Sequence, residues 1–267
     1  MSAILETRDV VVRFGVLNAV SHASIEVVEG RVTGLIGPNG AGKTTCFNVI
    51  TGLQEPTSGK VFFEGKDITN KNPYKRARMG IARTFQKLEV FGSLSARENI
   101  LVAAEQRKTW DRSGFDPNKV CDEILAKVGL TDVSEFMVGT LPTGTARLVE
   151  LARALASNPR VLLLDEPSSG LNEEETEEMA ALLRKFVDDG LAVLLVEHDM
   201  SFVMGTCEFI HVLDFGTIIA TGTPAEVQAN PQVQAELAAI TAKGFSSRFL
   251  RARRVRTASG CRASHTR

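Results

Sequence analysis

Three short runs carry almost no polar residue: Val32 to Ile36, Val161 to Leu164 and Leu191 to Val196. Each is too short for a core helix and reads as a strand buried on both faces of a parallel sheet. Ahead of Gly30 the pattern alternates instead. Val10-Val11-Val12-Arg13-Phe14 and Ile25-Glu26-Val27-Val28 predict half-exposed antiparallel strands. Lys60 to Glu64 reads as one more strand, ending at Gly65. A helical pattern starts near Gly42 and turns Phe47, Val49 and Ile50 inward. From about Lys87 to Ser157 helical spacing dominates, over Ala96–Gln106, Asn118–Val128 and Gly144–Ala156. Trp110 to Pro117, with Asp111, Ser113 and Gly114, breaks that spacing and predicts an exposed loop. The acids Glu173, Glu174, Glu175, Glu177 and Glu178 open a further helix, where its dipole favours negative charge. They read as a cap and a solvated face, not as a metal site.

The first chemistry lies where the Val32–Ile36 strand stops. Gly37-Pro38-Asn39-Gly40-Ala41-Gly42-Lys43-Thr44-Thr45 matches the phosphate-binding pattern G-x-x-x-x-G-K-[ST]. Gly37, Gly40 and Gly42 let the backbone curl so that successive N–H groups point at phosphate oxygens. Lys43 adds a point charge, and the Thr44 hydroxyl is a hard oxygen suited to Mg²⁺. The helix that follows sets its N-terminus under the phosphates. The strand–loop–helix setting separates this motif from a glycine-rich turn.

Two further strand ends supply acid and base. Val161 to Leu164 runs into Asp165-Glu166-Pro167, at the carboxyl edge where open α/β sheets hold their ligands. Asp165 is placed to hold Mg²⁺, directly or through water. Glu166 is the candidate general base for the water attacking a γ-phosphate, a role worth ~10²–10⁴ in rate. His198 follows the Leu191–Val196 strand and emerges at the same edge, within reach of the γ-phosphate or the water.

In this order the motifs resemble those of the ATP-binding cassette (ABC) ATPases, and the resemblance runs to about Ile240. Phe14 stands where that family places an aromatic against adenine. Gln86, in Arg83-Thr84-Phe85-Gln86, matches the glutamine linking the γ-phosphate and Mg²⁺ to a transmembrane partner. Leu141 to Arg147 occupies the signature position, Ser168-Ser169-Gly170-Leu171-Asn172 the loop where two such ATPases meet, and His198 the switch histidine. The implied fold is α/β: a P-loop NTPase core of mixed sheet flanked by helices, an antiparallel β subdomain, and an inserted helical subdomain of about 87–157. The implied domain spans 1–240, binds ATP and Mg²⁺, and uses Thr44, Gln86 and Asp165 at the metal. Lys43, Gln86, Glu166 and His198 are the implied catalytic groups.

The signature departs from the family's L-S-G-G-Q. Here it is Leu141-Pro142-Thr143-Gly144-Thr145, so proline removes a hydroxyl and a backbone N–H. Gly144 is kept, and Thr143 or Thr145 can restore a hydroxyl. In the family this segment completes the site on a partner subunit, so Thr143, Gly144 and Thr145 are expected to act on the partner's ATP. Leu94 to Ile100, Glu197-His198-Asp199-Met200, Ala220 to Val227 and Asn230-Pro231-Gln232-Val233 resemble the ATPase subunits of branched-chain amino acid importers. That group's aromatic tail is absent here, where Ala235 to Ile240 follows. The partners implied are a second ATPase subunit (a heterodimer, with a homodimer open), two transmembrane permease subunits and, indirectly, an extracytoplasmic binding protein. The implied location is the cytoplasmic face of the cell (inner) membrane, peripheral.

At 267 residues and 43% hydrophobic, the chain can bury a large core. No run approaches the ~18–20 apolar residues of a membrane span. Met1 to Asp9, with Glu6, Arg8 and Asp9, does not read as a secretory leader. Cys46, Cys121, Cys207 and Cys261 are widely spaced, which indicates neither zinc nor disulfides. Leu237 to Arg267 holds no acid and eight basic residues, leaving the body near −9 against a net charge of −1. The 241–267 segment reads as a solvated, disordered tail, with attraction to anionic lipid as its alternative. Nucleic acid is not expected as a partner. A non-transport ABC ATPase of DNA repair or translation would bring a second cassette or a long coiled coil, which this chain lacks. A nucleotide-binding regulatory subunit with little turnover is suggested only by Pro142.

Overall fold

The computed structural model describes residues 2–234; Cys261, the 241–267 tail and the end of the 1–240 domain lie outside them. One sheet is antiparallel, in the order β2-β1-β4-β5, from β1 (Ala3–Phe14), β2 (Leu17–Val28), β4 (Ser58–Phe63) and β5 (Lys66–Asp67). The other is six-stranded, in the order β10-β9-β3-β8-β7-β6. It comprises β3 (Val32–Ile36), β6 (Ile81–Arg83), β7 (Val161–Asp165), β8 (Ala192–Val196), β9 (Phe209–Asp214) and β10 (Thr217–Gly222). Its strands pair in parallel except β10, which returns antiparallel to β9.

The helices are α1 (Lys43–Thr51), α2 (Pro73–Arg78), α3 (Ala96–Lys108), α4 (Pro117–Lys127), α5 (Thr143–Ala156), α6 (Glu173–Asp188), α7 (Met200–Thr206) and α8 (Pro224–Ala229). Between β6 and β7, α3, α4 and α5 pack on one another. Asn172 caps α6 in a reciprocal box with Glu175, so the acidic run reads as predicted. The segment between α3 and α4 is irregular, yet Trp110 is only partly exposed. The Arg78 guanidinium lies 5.4 Å from its ring, and Arg107 pairs with Asp111 while stacking 4.1 Å from the Phe115 ring. Polar composition signalled the loop; these cation–π contacts draw part of it inward.

All five residues of β3, β7 and β8 are buried. Alternate side chains enter two separate cores. Leu162 and Leu164 join the cluster formed with α3 to α7, while Val161 and Leu163 join the one formed with the antiparallel sheet and α1. Two-sided burial is why these strands carry unbroken apolar runs. Cys46, Cys121 and Cys207 are free and buried. Burial pushes the Cys46 thiol up to about 12, so it behaves as a small apolar residue.

The C-terminal end of α1 is closed by a buried cation. Arg76, 1% exposed, donates from Nη1 to the carbonyls of Val49 (2.6 Å) and Ile50 (2.7 Å). Nη2 reaches Thr69 O at 2.7 Å and Nε reaches Lys71 O at 2.8 Å. The guanidinium satisfies orphan carbonyls and opposes the negative end of the helix dipole. Arg76→Met should therefore cost about 3 kcal/mol in urea unfolding, because several buried carbonyls lose their donor. A loss below about 1 kcal/mol would show that water replaces the cap.

His211 on β9 is the one buried histidine among the described residues. Its Nε2 lies 3.3 Å from Glu26 N and 3.2 Å from Glu26 O, and its Nδ1 has no partner. Burial holds its pKa below the usual histidine value. The unfolded chain then binds the proton first, so stability falls as pH drops from about 6.5 through the folded value. The melting temperature should drop between about pH 7 and 5.5, and His211→Gln should flatten that drop. Parallel curves for parent and variant would assign the acid sensitivity elsewhere.

Candidate functional site

β3 delivers the chain into the Gly37–Thr45 loop, and its neighbours dictate the loop's path. A Cβ on Gly37 (φ +153°) would lie 1.9 Å from the Leu213 carbonyl, and one on Gly42 (φ +107°) 2.4 Å from the Ala19 carbonyl. Only glycine passes at these two points. Gly216 N donates to Ala41 O at 2.8 Å and pins the outer turn to the β9–β10 hairpin. Asn39, Gly40 and Thr44 are exposed, Pro38, Lys43 and Thr45 half-buried. No side chain caps the start of α1, so its first N–H groups are offered outward, as an anion site requires. Lys43 Nζ donates to Gly37 O (2.7 Å) and Pro38 O (2.9 Å). Burial lowers its pKa, while Glu166 and then Asp165 pull the other way.

Beside the loop, β7 ends at buried Asp165, whose Oδ2 accepts from Arg83 Nη2 at 2.9 Å. Glu166 then turns into the left-handed region, φ +51°, immediately ahead of Pro167. For a non-glycine residue this conformation costs of order 1–3 kcal/mol and collects at functional sites. It is held by Glu166 N to Val196 O at 2.8 Å and Ser169 N to Glu166 O at 3.1 Å. Gln86 Nε2 donates to Glu166 Oε2 at 2.9 Å, and His198 Nδ1 lies 3.7 Å from Glu166 Oε1. Lys43, Gln86, Asp165, Glu166 and His198 thus gather at one sheet edge.

The donor set also suits a hard cation. The Thr44 hydroxyl is exposed, and the Gln86 oxygen is the amide atom left after its nitrogen engages Glu166. Among the described residues no three His, Cys, Asp or Glu side chains could hold a metal by themselves. Mg²⁺ favours this arrangement, one carboxylate with neutral oxygens and substrate phosphate completing the shell.

Phe14 stands half exposed at the β1–β2 hairpin tip, paired with Leu17. The first turn of α5 lies against α6 and the loop ahead of it. A Cβ on Gly144 would come 2.3 Å from Glu175 Oε1, and one on Gly170 3.4 Å from the Thr143 methyl. The acid cluster is formed without Phe14, Thr143, Gly144 or Thr145.

Sequence reasoning missed the side chains that hold these loops. Glu197, fully buried, accepts at Oε1 from Ser168 N (2.8 Å) and Ser168 Oγ (2.5 Å). Its Oε2 accepts from His198 N (3.0 Å) and Asp199 N (3.4 Å), so one carboxylate ties the loop after β7 to that after β8. Arg147 on α5 donates to Phe85 O and Gln86 O, and its partner Glu150 accepts from Glu89 N. An acid directly after a buried strand was the available signal for Glu197; nothing in the spacing marked Arg147.

Comparison with known proteins supplies the family. The family model for "ABC transporter" matches residues 20–169, and that for "Branched-chain amino acid ATP-binding cassette transporter" matches 217–235. The chain is 40% identical over 243 residues to the high-affinity branched-chain amino acid transport ATP-binding protein BraF of Pseudomonas aeruginosa, covering 86% of this chain and 95% of that one. It is 36% identical over 243 residues, with the same coverage, to LivG of Escherichia coli, a protein of the same description. A lipopolysaccharide export system ATP-binding protein, LptB of Acidithiobacillus ferridurans, is 34% identical, covering 88% of this chain and 96% of that one. Among solved structures, an ATP-binding cassette of an ABC transporter superposes with a TM-score of 0.80 at 32% identity, covering 89% of this chain and 99% of that one. With the phosphate loop, the strand-end acids and the histidine at one sheet edge, the chain belongs to the ABC transporter ATPases.

Proposed function

We propose that this chain is the ATP-hydrolysing subunit of a membrane importer for branched-chain or other hydrophobic amino acids. The observation that carries the reading is the convergence on Glu166. Its left-handed backbone aims the carboxylate where Gln86 bonds it and His198 approaches, beside Lys43 of the phosphate loop. The match to BraF and LivG, more similar than the export protein LptB, and the 217–235 family match support the choice of cargo.

In this mechanism the loop N–H groups and Lys43 bind the ATP phosphates, and Phe14 stacks on the base. Thr44, Gln86 and Asp165 would hold a Mg²⁺ ion, which would supply charge neutralisation at the phosphates. Glu166 accepts a proton from the attacking water, and His198 orients the γ-phosphate and that water. Thr143, Gly144 and Thr145 act on the ATP of a second ATPase subunit. Among the described residues no helix is long and apolar enough to cross a membrane. That fits a peripheral subunit working with two permease subunits at the cytoplasmic face.

Glu166→Gln should bind ATP with parental affinity, lose about 10²-fold or more in turnover, and accumulate a closed dimer on size-exclusion chromatography. Parental turnover in that variant would remove Glu166 from the role of base. Glu197→Ala should leave monomer nucleotide affinity within about two-fold. It should reduce ATPase activity and dimer formation together by about ten-fold, as both loops lose a buried acceptor. Loss of nucleotide affinity instead would mean that Glu197 supports the phosphate loop.

A further inference from the structure

We infer that Arg83 is a positioning residue that sets Thr44 and Asp165 in register and decides which oxygen of Asp165 faces the phosphate loop. This rests on the reading of Thr44 and Asp165 as metal-bearing residues. Arg83 closes β6, beside β7, with its backbone opposite Leu163. Its guanidinium reaches in two directions: Nη2 to Asp165 Oδ2 at 2.9 Å and Nη1 to Asn48 Oδ1 at 2.6 Å. Side chains of Arg83 and Asp165 are each 6% exposed. The group is held between two rings, with its central carbon 5.4 Å from the Phe47 centroid and 4.9 Å from the Phe85 centroid.

The helix geometry gives the bridge its consequence. Thr44 and Asn48 are four residues apart on α1 and share one face. A guanidinium bonded to Asn48 therefore fixes the helix face that carries Thr44 against the strand that carries Asp165. The fork is planar and rigid, so the angle between its two partners is fixed, which a lysine cannot reproduce. Oδ2 of Asp165 is occupied by a charge-assisted bond, and Oδ1 is the oxygen left to turn toward the loop. The buried Arg83 Nε has no partner, so the fork is held for its two terminal nitrogens and not for full satisfaction of the side chain.

The test is nucleotide binding by the full chain, followed with a fluorescent ATP analogue in EDTA and across a Mg²⁺ titration. Arg83→Gln should keep its EDTA affinity within about two-fold, while the Mg²⁺ concentration giving half the metal-dependent enhancement rises about ten-fold, as expected when an outer-shell partner is lost. Arg83→Lys, with charge but no fork, should show at least about a three-fold rise. If Arg83→Gln is insoluble, Asn48→Ala removes one arm alone and should raise the midpoint about three-fold. An unchanged midpoint with only a lower melting temperature would overturn the inference, as would full rescue by lysine. Asp165→Asn separates the two levels. If it shifts the midpoint and the Arg83 variants do not, only this inference fails; if it shifts nothing, the reading of Asp165 fails and takes the inference with it.

Discussion

A strand packed on both faces has room for uncompensated polar side chains only where it ends, and the edge that gathers this protein's acids and histidine follows from that constraint. β3, β7 and β8 are buried throughout and lie side by side in parallel. A carboxylate in mid-strand would lose its solvation without a partner. Asp165, Glu166, Glu197 and His198 therefore stand at or just past the carboxyl ends, and parallel pairing brings those ends together. The phosphate loop joins them because β3 lies between β8 and β9. Its own path is then dictated by the Leu213 and Ala19 carbonyls, which leave no room for a side chain at Gly37 or Gly42.

A second set of polar groups, most of them buried, connects this edge to the helices between β6 and β7. Arg147 holds the carbonyls of Phe85 and Gln86, Arg153 holds that of Glu89, and Asn99 bonds both backbone groups of Phe91. The segment from Gln86 to Phe91 is thereby fastened at both ends to α3 and α5. A displacement of that helical block must move the Gln86 backbone, and Gln86 is bonded to Glu166. Buried pairs such as Arg147–Glu150 contribute little net stability but fix geometry closely. Burial raises the Glu150 pKa, an effect opposed by the Glu89 N–H and then Arg147. That balance suits a joint that has to be stiff more than it has to be stable.

The strands and helices that generate this edge were legible because each is written in a period of two, of 3.6, or as an unbroken apolar run. The phosphate loop and the strand-end acids were legible because their chemistry is local in sequence. The long β1–β2 pair was read only in part: Asp9 and His22 adopt left-handed backbone that interrupts the alternation. Arg76, Arg83, Arg147 and Glu197 escaped functional reading for a different reason. Each is a charged residue that sequence statistics send to solvent, and each is buried by partners distant in the chain or by backbone groups. Arg83 and Glu197 lie within the same short strings as Gln86 and His198, whose chemistry is the more recognisable.

The turn at residues 141–145, which the resemblance places at the signature position, keeps its backbone donors despite the departure from consensus. Pro142 occupies the N-cap of α5, with φ −55° and ψ 153°. At that position its carbonyl is the group that matters, and it accepts from Ala146 N at 3.0 Å. Proline thus sacrifices a capping hydroxyl, while the N–H groups of the first turn remain without a side-chain cap. Those donors and the positive end of the helix dipole are what a phosphate on a second subunit would meet. A Cβ on Gly144 would meet the Glu175 carboxylate, which would have to shift to admit it. Glu175 is in turn anchored by the Asn172 N–H at 2.8 Å, in the loop that the resemblance places between subunits. Glu175 and Asn172 fix where the first turn of α5 sits, while loss of the capping hydroxyl leaves the backbone donors and two neighbouring threonines in place.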